Sequence, residues 1–248
     1  MNIVYYHYWI PDDFRSLYWY WQLDEQCRHI VESGLIDNAV FYINITMPQL
    51  WTMDVRSVQF EKSETREPVF FKDKVVEYLE YRYPFFNISL RDTGNQENLY
   101  EGATLSKLHE MSKKNPEANY FYFHSKGVSS ASAHSKMWFD SLNQIMISDW
   151  RKCLSVLQDE NCNVVGVKDS IVKKDSNGLS HLSGNYFWAK GKYLSTLDIP
   201  YYEKNRYEYE KWIISGDKHG ERIRFIYDLG VDPFVEYVSE PNKIFDIV

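Results

Sequence analysis

Four consecutive aromatic residues, Tyr120 to Phe123, lie within Asn119-Tyr-Phe-Tyr-Phe-His124-Ser-Lys-Gly127, and they run without a break into an imidazole, a hydroxyl, an ammonium and a glycine. Aromatic density of this kind belongs to a buried strand. In an open α/β sheet ligands bind in the crevice beyond the carboxyl ends of the strands, so the turn His124-Ser125-Lys126-Gly127 stands where a site is expected. An ordinary strand exit would have the same residues, so the rest of the chain has to decide between the two.

The alternation of elements supports the α/β expectation. Residues 2 to 9 read as a first strand, and Asp12 and Asp13 open a helix that runs to about Ser33 and stops at Gly34. Val40 to Thr46 is β-branched and aromatic, hence a second buried strand, followed by Met47-Pro48. A weaker strand is expected over 55 to 61, a helix over 72 to 83 ended by Pro84, and a strand over 85 to 90. Leu105, Leu108 and Met111 mark a helix from Thr104 to Asn115-Pro116, and the aromatic strand follows at once. Ser129 to Ser135 reads as a small, polar loop, then Trp138 to Leu157 as one long amphipathic helix. Beyond it come a strand at 163 to 167, a polar connection over 168 to 180, a strand near 181 to 189, helices near 191 to 197 and 205 to 215, and a strand near 222 to 227. The tail from Val231 holds strand-like Phe234 to Val238 and Ile244 to Val248, a cover for the sheet or an oligomer contact. Such alternation points to a three-layer α/β/α sandwich on a mostly parallel sheet.

Composition removes several classes. The 248 residues, 44% hydrophobic and 25% charged, suffice for one large core. A net charge of -7 with dispersed lysines and arginines leaves no basic stripe for nucleic acid. Cys27, Cys153 and Cys162 are odd in number and lack a CxxC, which disfavours a disulfide framework or a zinc site and suggests a reducing compartment. The N-terminus lacks the basic n-region of a signal peptide, and no apolar run approaches the ~20 residues that span a bilayer. The acceptor patterns for glycosylation at Asn44-Ile-Thr46 and Asn87-Ile-Ser89 are therefore expected on strands.

Three constellations carry chemistry. In the first, Lys126 past a buried strand, with Gly127 allowing close backbone approach, suits a phosphate or diphosphate, although neither a Walker sequence nor a GxGxxG is present. The second is His181-Leu-Ser183-Gly184-Asn185-Tyr186-Phe-Trp188-Ala189, where glycine inside a strand marks a bulge or a ligand's approach. Asn185 supplies donor and acceptor there, and Tyr186 or Trp188 a flat face, a set suited to polyhydroxylated ligands. The third is Arg206-Tyr-Glu208-Tyr-Glu210-Lys-Trp212, whose two carboxylates, two apart, point to different sides of a helix. Glu208 shares a face with Trp212 and Arg206 with Glu210, so one carboxylate is expected against arginine and the other toward the core. Arg91-Asp92 and Tyr100-Glu101 could flank a pocket, and His7 ends the first strand at a site-facing position. Neither G-x-S-x-G nor HExxH occurs, which disfavours a serine hydrolase or zinc protease.

Taken in order, Tyr100-Glu-Gly-Ala-Thr-Leu105, Tyr122-Phe-His-Ser-Lys-Gly-Val128, Trp138, Cys153, Val165-Gly166, His181 to Ala189 and Arg206 to Trp212 resemble GT-A type glycosyltransferases of bacterial polysaccharide clusters and large DNA viruses. The resemblance spans roughly residues 100 to 213. It implies one GT-A domain over 1 to 248, with a nucleotide-sugar-binding half at 1 to 127, an acceptor half at 128 to 230 and a C-terminal extension at 231 to 248. It further implies a nucleotide-diphosphate sugar donor held by His7, His124, Ser125, Lys126 and Gly127, and a glycan acceptor held by His181, Ser183, Gly184, Asn185, Tyr186 and Trp188. Glu208 or Glu210 would be the catalytic base, and the cytoplasm of a bacterium or of a virus-infected host cell the compartment. Members of the wider fold carry Asp-x-Asp where this chain has His124-Ser-Lys-Gly127. Either Lys126 replaces the metal, or a divalent ion, Mn or Mg, is held by His124 or His181 with a carboxylate. A sugar-binding module without catalysis would use the same pocket, and a methyltransferase is disfavoured by the missing glycine-rich loop.

Overall fold

A computed structural model describes residues 1–10, 18–47, 71–92, 101–125, 132–172, 174–175, 178–200, 206–217 and 219–233. Asp12, Asp13, the strand expected over 55 to 61, Lys126, Gly127 and the strands expected in the tail lie outside them. The chain is α/β, and among the described residues seven strands form one mixed, mostly parallel sheet. Strands β1 (Asn2–Trp9), β2 (Ala39–Met47), β3 (Phe86–Asp92) and β4 (Asn119–His124) alternate with helices α1 (Tyr18–Glu32), α2 (Phe71–Arg82) and α3 (Gly102–Lys114). The helix α4 (Ala133–Leu142) passes through a π-helical segment, Asn143–Ser148, to α5 (Trp150–Leu157). Then follow β5 (Val164–Lys168), a hairpin of β6 (Lys174–Asp175) and β7 (Gly178–Leu179), β8 (Phe187–Lys190), α6 (Gly191–Leu194), α7 (Arg206–Trp212) and β9 (Ile223–Asp228). Asn44 and Asn87 lie on β2 and β3, as expected.

The sheet order is β3-β2-β1-β4-β8-β5-β9. Pairings are parallel except those of β8, which runs antiparallel to both β4 and β5. From β1 the chain moves outward through β2 to β3, then returns to place β4 on the other side of β1. Right-handed crossovers put helices on opposite faces when the direction of travel reverses. Accordingly α1 packs into one core with Val4, Tyr6, Phe121 and Phe123, and α3 into another with Ile3, Tyr5, Tyr120 and Tyr122. The reversal opens a crevice between β1 and β4 at their carboxyl ends, the topological switch point.

The aromatic strand holds these layers together. Phe123 stacks on Tyr6 with centroids 4.3 Å apart, and Phe121 on Trp188 at 4.7 Å. On the other face Tyr122 stacks on Phe187 at 5.2 Å. The indole N–H of Trp188 donates to the Met146 carbonyl, 3.0 Å, supplying a partner within the π-helical segment.

Two expected boundaries differ. The helix expected from Trp138 starts at Ala133, because Ser132 caps it by accepting from the Ser135 amide at 3.1 Å, so the Ser-Ala-His-Ser string is part loop and part helix start. The strand expected over 181 to 189 is strand only from Phe187, since Gly184 and Asn185 both take positive φ, 64° and 53°. Among the described residues no helix is long and apolar enough to cross a membrane.

Trp188 is fully buried and anchors both β4 and the π-helical segment. Trp188→Ala is expected to lower unfolding free energy by about 3–5 kcal/mol in urea titrations, through lost area and the cavity left behind.

Candidate functional site

Alternation along a strand decides which end groups meet. His7 follows Ile3 and Tyr5 on one face of β1, Asn44 follows Tyr42 on β2, and His124 follows Tyr120 and Tyr122 on β4, so all three project to the α3 side. Backbone pairing sets His7 opposite both Asn44 and His124. The start of α3 brings Glu101 and Thr104 down onto them. Gly102 is required at that helix start, because a Cβ would stand 2.6 Å from the Tyr209 ring of α7.

Glu101 is the hub. Its carboxylate accepts from the Tyr122 hydroxyl at 2.9 Å and from the Asn185 amide at 2.6 Å, and it lies 3.2 Å from His124 Nδ1. Both members of the His124–Glu101 pair are nearly buried, with side chains 11% and 13% exposed. On the other side of the ring, His124 Nε2 donates to the Gly184 carbonyl at 2.7 Å. A ring with an acceptor at each nitrogen is satisfied when both nitrogens carry hydrogen, which makes His124 an imidazolium and Glu101 its counter-ion. Burial together with Glu101 drives the Tyr122 phenol well above its ordinary range, so it stays a donor.

Three successive residues therefore hold one histidine. Gly184 accepts from the ring, Asn185 braces the carboxylate that faces it, and the Tyr186 hydroxyl donates to the His124 carbonyl at 2.7 Å. Gln26 donates to that same hydroxyl at 2.7 Å and accepts from Tyr6, extending the support to α1. The left-handed turn at Gly184 and Asn185 precedes the strand, and Asn185 and Tyr186 then serve opposite faces of the sheet. A Cβ on Gly184 would meet Leu142 Cδ1 at 2.4 Å, so glycine is needed for space as well as for φ. Asn185 Oδ1 is buried with no partner among the described residues.

The remaining sequence candidates divide. Ser125 spends its hydroxyl on the neighbouring strand, accepting from the Trp9 amide at 2.8 Å and donating to the Trp9 carbonyl at 3.4 Å. Ser183 accepts from the Trp138 indole at 3.1 Å. His181 Nδ1 is paired with Ser180 Oγ at 2.8 Å. Tyr186 and Trp188 offer no face for stacking on a sugar: both are fully buried on the α1 side, because strand alternation turns them away from Asn185. Glu208 lies on the outer side of α7, paired with Lys211 at 3.0 Å, while Tyr209 and Trp212 fill the core. The expectation that Glu208 shares the inward face of Trp212 is corrected by a seven-residue helix that turns Tyr209 and Trp212 inward together. Glu210 is half-buried on α7, and its charge adds to the rise of the Tyr122 phenol, after burial and Glu101.

His124 does not suit a metal, since both ring nitrogens are committed to protein partners. Among the described residues no group of three or more His, Cys, Asp or Glu is arranged to hold one.

Residues 5–223 match the family described as a domain of unknown function, DUF8361. The chain belongs to that family. The region shared with DUF8361 takes in every member of the Glu101 cluster. No curated protein matches the chain. Among solved structures, a crystal structure of 4-diphosphocytidyl-2C-methyl-D-erythritol synthase is similar at 13% identity, over 97% of this chain and 92% of that one, with a TM-score of 0.35.

The sequence pattern gives Glu101 a place only at a pocket flank and within a resembling string, and gives Thr104, Tyr122 and Asn44 no role at a site. Position on the α3 side of successive strands was the signal that could have joined them.

Two outcomes follow from this chemistry. Glu101→Gln gives three donors one acceptor oxygen and an opposing NH2, so a loss of about 1–3 kcal/mol is expected in urea titrations with an unchanged m value. Burial lowers the His7 pKa to about 4, with Glu101 raising it and His124 lowering it further. The unfolded ring, at ~6.5, binds its proton first as pH falls, so His7's contribution is complete above ~6.5 and lost progressively down to about 4. Relative to His7→Gln, the wild type is expected to lose roughly 2 kcal/mol more stability between pH 7 and pH 5, read from paired denaturation curves.

Proposed function

We propose that the chain is a glycosyltransferase of GT-A type that moves a sugar from a nucleotide-diphosphate sugar to a hydroxyl of a glycan acceptor. The observation that carries this reading is the pairing of His7 with His124 at the reversal of strand order, the position where open α/β sheets bind nucleotides. Two of the motifs that resemble such enzymes meet there, His124 of the first bonding Gly184 of the second, whose Asn185 bonds Glu101.

Sugar transfer needs negative charge on the departing diphosphate offset, and a proton taken from the attacking hydroxyl. The His124 charge is already met by Glu101 within the protein, so the diphosphate charge falls to Lys126, outside the described residues. Of the two candidate bases Glu210 is preferred, because its charge acts on the Tyr122 phenol, whereas Glu208 is paired with Lys211. Asn185 Oδ1, an acceptor without a partner among the described residues, suits a hydroxyl of the sugar or acceptor. Burial of Tyr186 and Trp188 takes the aromatic platform from the alternative of a non-catalytic sugar-binding module. The three buried free thiols accord with a cytoplasmic setting, in a bacterium or in a virus-infected host cell.

Thermal unfolding with UDP, GDP and their sugar conjugates is expected to show a selective upward shift for one nucleotide series, followed by transfer to a glycan acceptor. Glu210→Gln should lower turnover by about 100-fold or more with nucleotide affinity retained, while Glu208→Gln stays near wild type. Full activity of Glu210→Gln would remove it as the base, and no nucleotide-dependent shift would overturn the reading as a whole.

A further inference from the structure

We infer that His7, not His124, is the imidazole that bonds the bound nucleotide, as a neutral ring presenting Nε2–H, and that Lys107, Asn44 and Thr104 are positioning residues that fix this tautomer. The ligand-facing part of this inference rests on the nucleotide-binding reading above; the tautomer stands on hydrogen-bond chemistry alone.

The chain of bonds has one consistent direction. The Lys107 ammonium can only donate, and it lies 3.4 Å from Asn44 Oδ1. That fixes the amide of Asn44, whose Nδ2 donates to Thr104 Oγ1 at 3.0 Å. Thr104 is fully buried, and its remaining partner is His7 Nδ1 at 2.8 Å. A buried hydroxyl that already accepts from Asn44 finds a place for its own hydrogen by donating to His7 Nδ1. Nδ1 is then the acceptor and the proton of the neutral ring sits on Nε2.

Charges around the ring agree with this assignment. Burial holds it neutral, while Glu101 at the start of α3 and His124 on β4 act on it in opposite senses; Lys107, on α3, reaches Asn44. His124, meanwhile, has no N–H left over, since Glu101 and Gly184 take both. Of two rings paired side by side at the carboxyl ends of β1 and β4, one is committed to the protein and the other keeps a single neutral donor. Such a donor recognises a lone pair on a nucleoside diphosphate without adding charge.

The test begins with ring-nitrogen NMR of the ligand-free protein. His7 is expected as the neutral Nε2–H tautomer from pH 8 to 6, with protonation only toward pH ~4, and His124 with both nitrogens protonated. Thr104→Val, which leaves His7 itself intact, should yield a mixture of His7 tautomers. Titration with UDP and GDP should then show His7→Ala weakening the preferred nucleotide about tenfold, with His7→Gln, which returns an N–H near the Nε2 position, within about threefold of wild type. A His7 ring carrying Nδ1–H, or titrating near 6.5, would sink the tautomer assignment. Unchanged nucleotide affinity in a folded His7→Ala protein would sink the ligand-facing role. Binding of neither nucleotide to wild type would overturn the proposed function, and the ring spectra would then judge the positioning chain on its own.

Discussion

The Glu101 carboxylate is the interaction on which the site geometry depends. It gathers donors from β4, from the Gly184-Asn185 turn and from the His124 ring, three parts of the chain far apart in sequence. A buried ion pair is poor evidence of stability, because desolvation of both charges offsets their attraction. Its strength lies in what happens when one partner is lost, since the other charge is then left buried without compensation. The cluster therefore fixes one arrangement of the crevice wall sharply while adding little net stability, which is how a site is kept in shape rather than how a fold is held up.

The fold is held up elsewhere, by the stacked aromatics of β4 and their partners. Tyr6, Phe123, Phe121 and Trp188 form a continuous stack on the α1 side, while Tyr122 and Phe187 stack on the α3 side. The same strand supplies both cores by alternation and then ends in His124, so the position of that ring is set by the two hydrophobic layers at once. Tyr186 ties the layers together: its ring is part of the α1-side core while its hydroxyl holds the His124 carbonyl.

Much of this was legible in sequence, and the failures have physical causes. The α/β class and the largely parallel sheet followed from local periodicity, which strands and helices express residue by residue. The antiparallel insertion of β8 between β4 and β5 was not, because sheet order is set by crossover direction and non-local pairing rather than by any local pattern. As neighbours in one motif, Asn185, Tyr186 and Trp188 look in sequence like one ligand-facing group. Period-two alternation separates Asn185 from Trp188, and the positive φ at Gly184 and Asn185 sets the break that a plain strand pattern hides. Glu101 does not stand out in sequence because a carboxylate at a helix start is ordinary for capping, yet here it makes no side-chain capping bond and faces three donors instead.

The paired histidines show how one fold separates two identical side chains into different states. His7 and His124 occupy equivalent ends of adjacent parallel strands and face the same side of the sheet. Their protonation differs because their second partners differ: an acceptor at each nitrogen makes His124 a double donor, while a hydroxyl forced to donate makes His7 an acceptor at Nδ1. Each charge state also reinforces the other, since a cationic His124 beside His7 opposes a second positive charge in the same dry pocket. Titratable neighbours pushed apart in this way are the pattern by which sites divide roles between like groups. Here the division leaves the protein-bound ring as part of the wall and the neutral ring as the group with a hydrogen to offer.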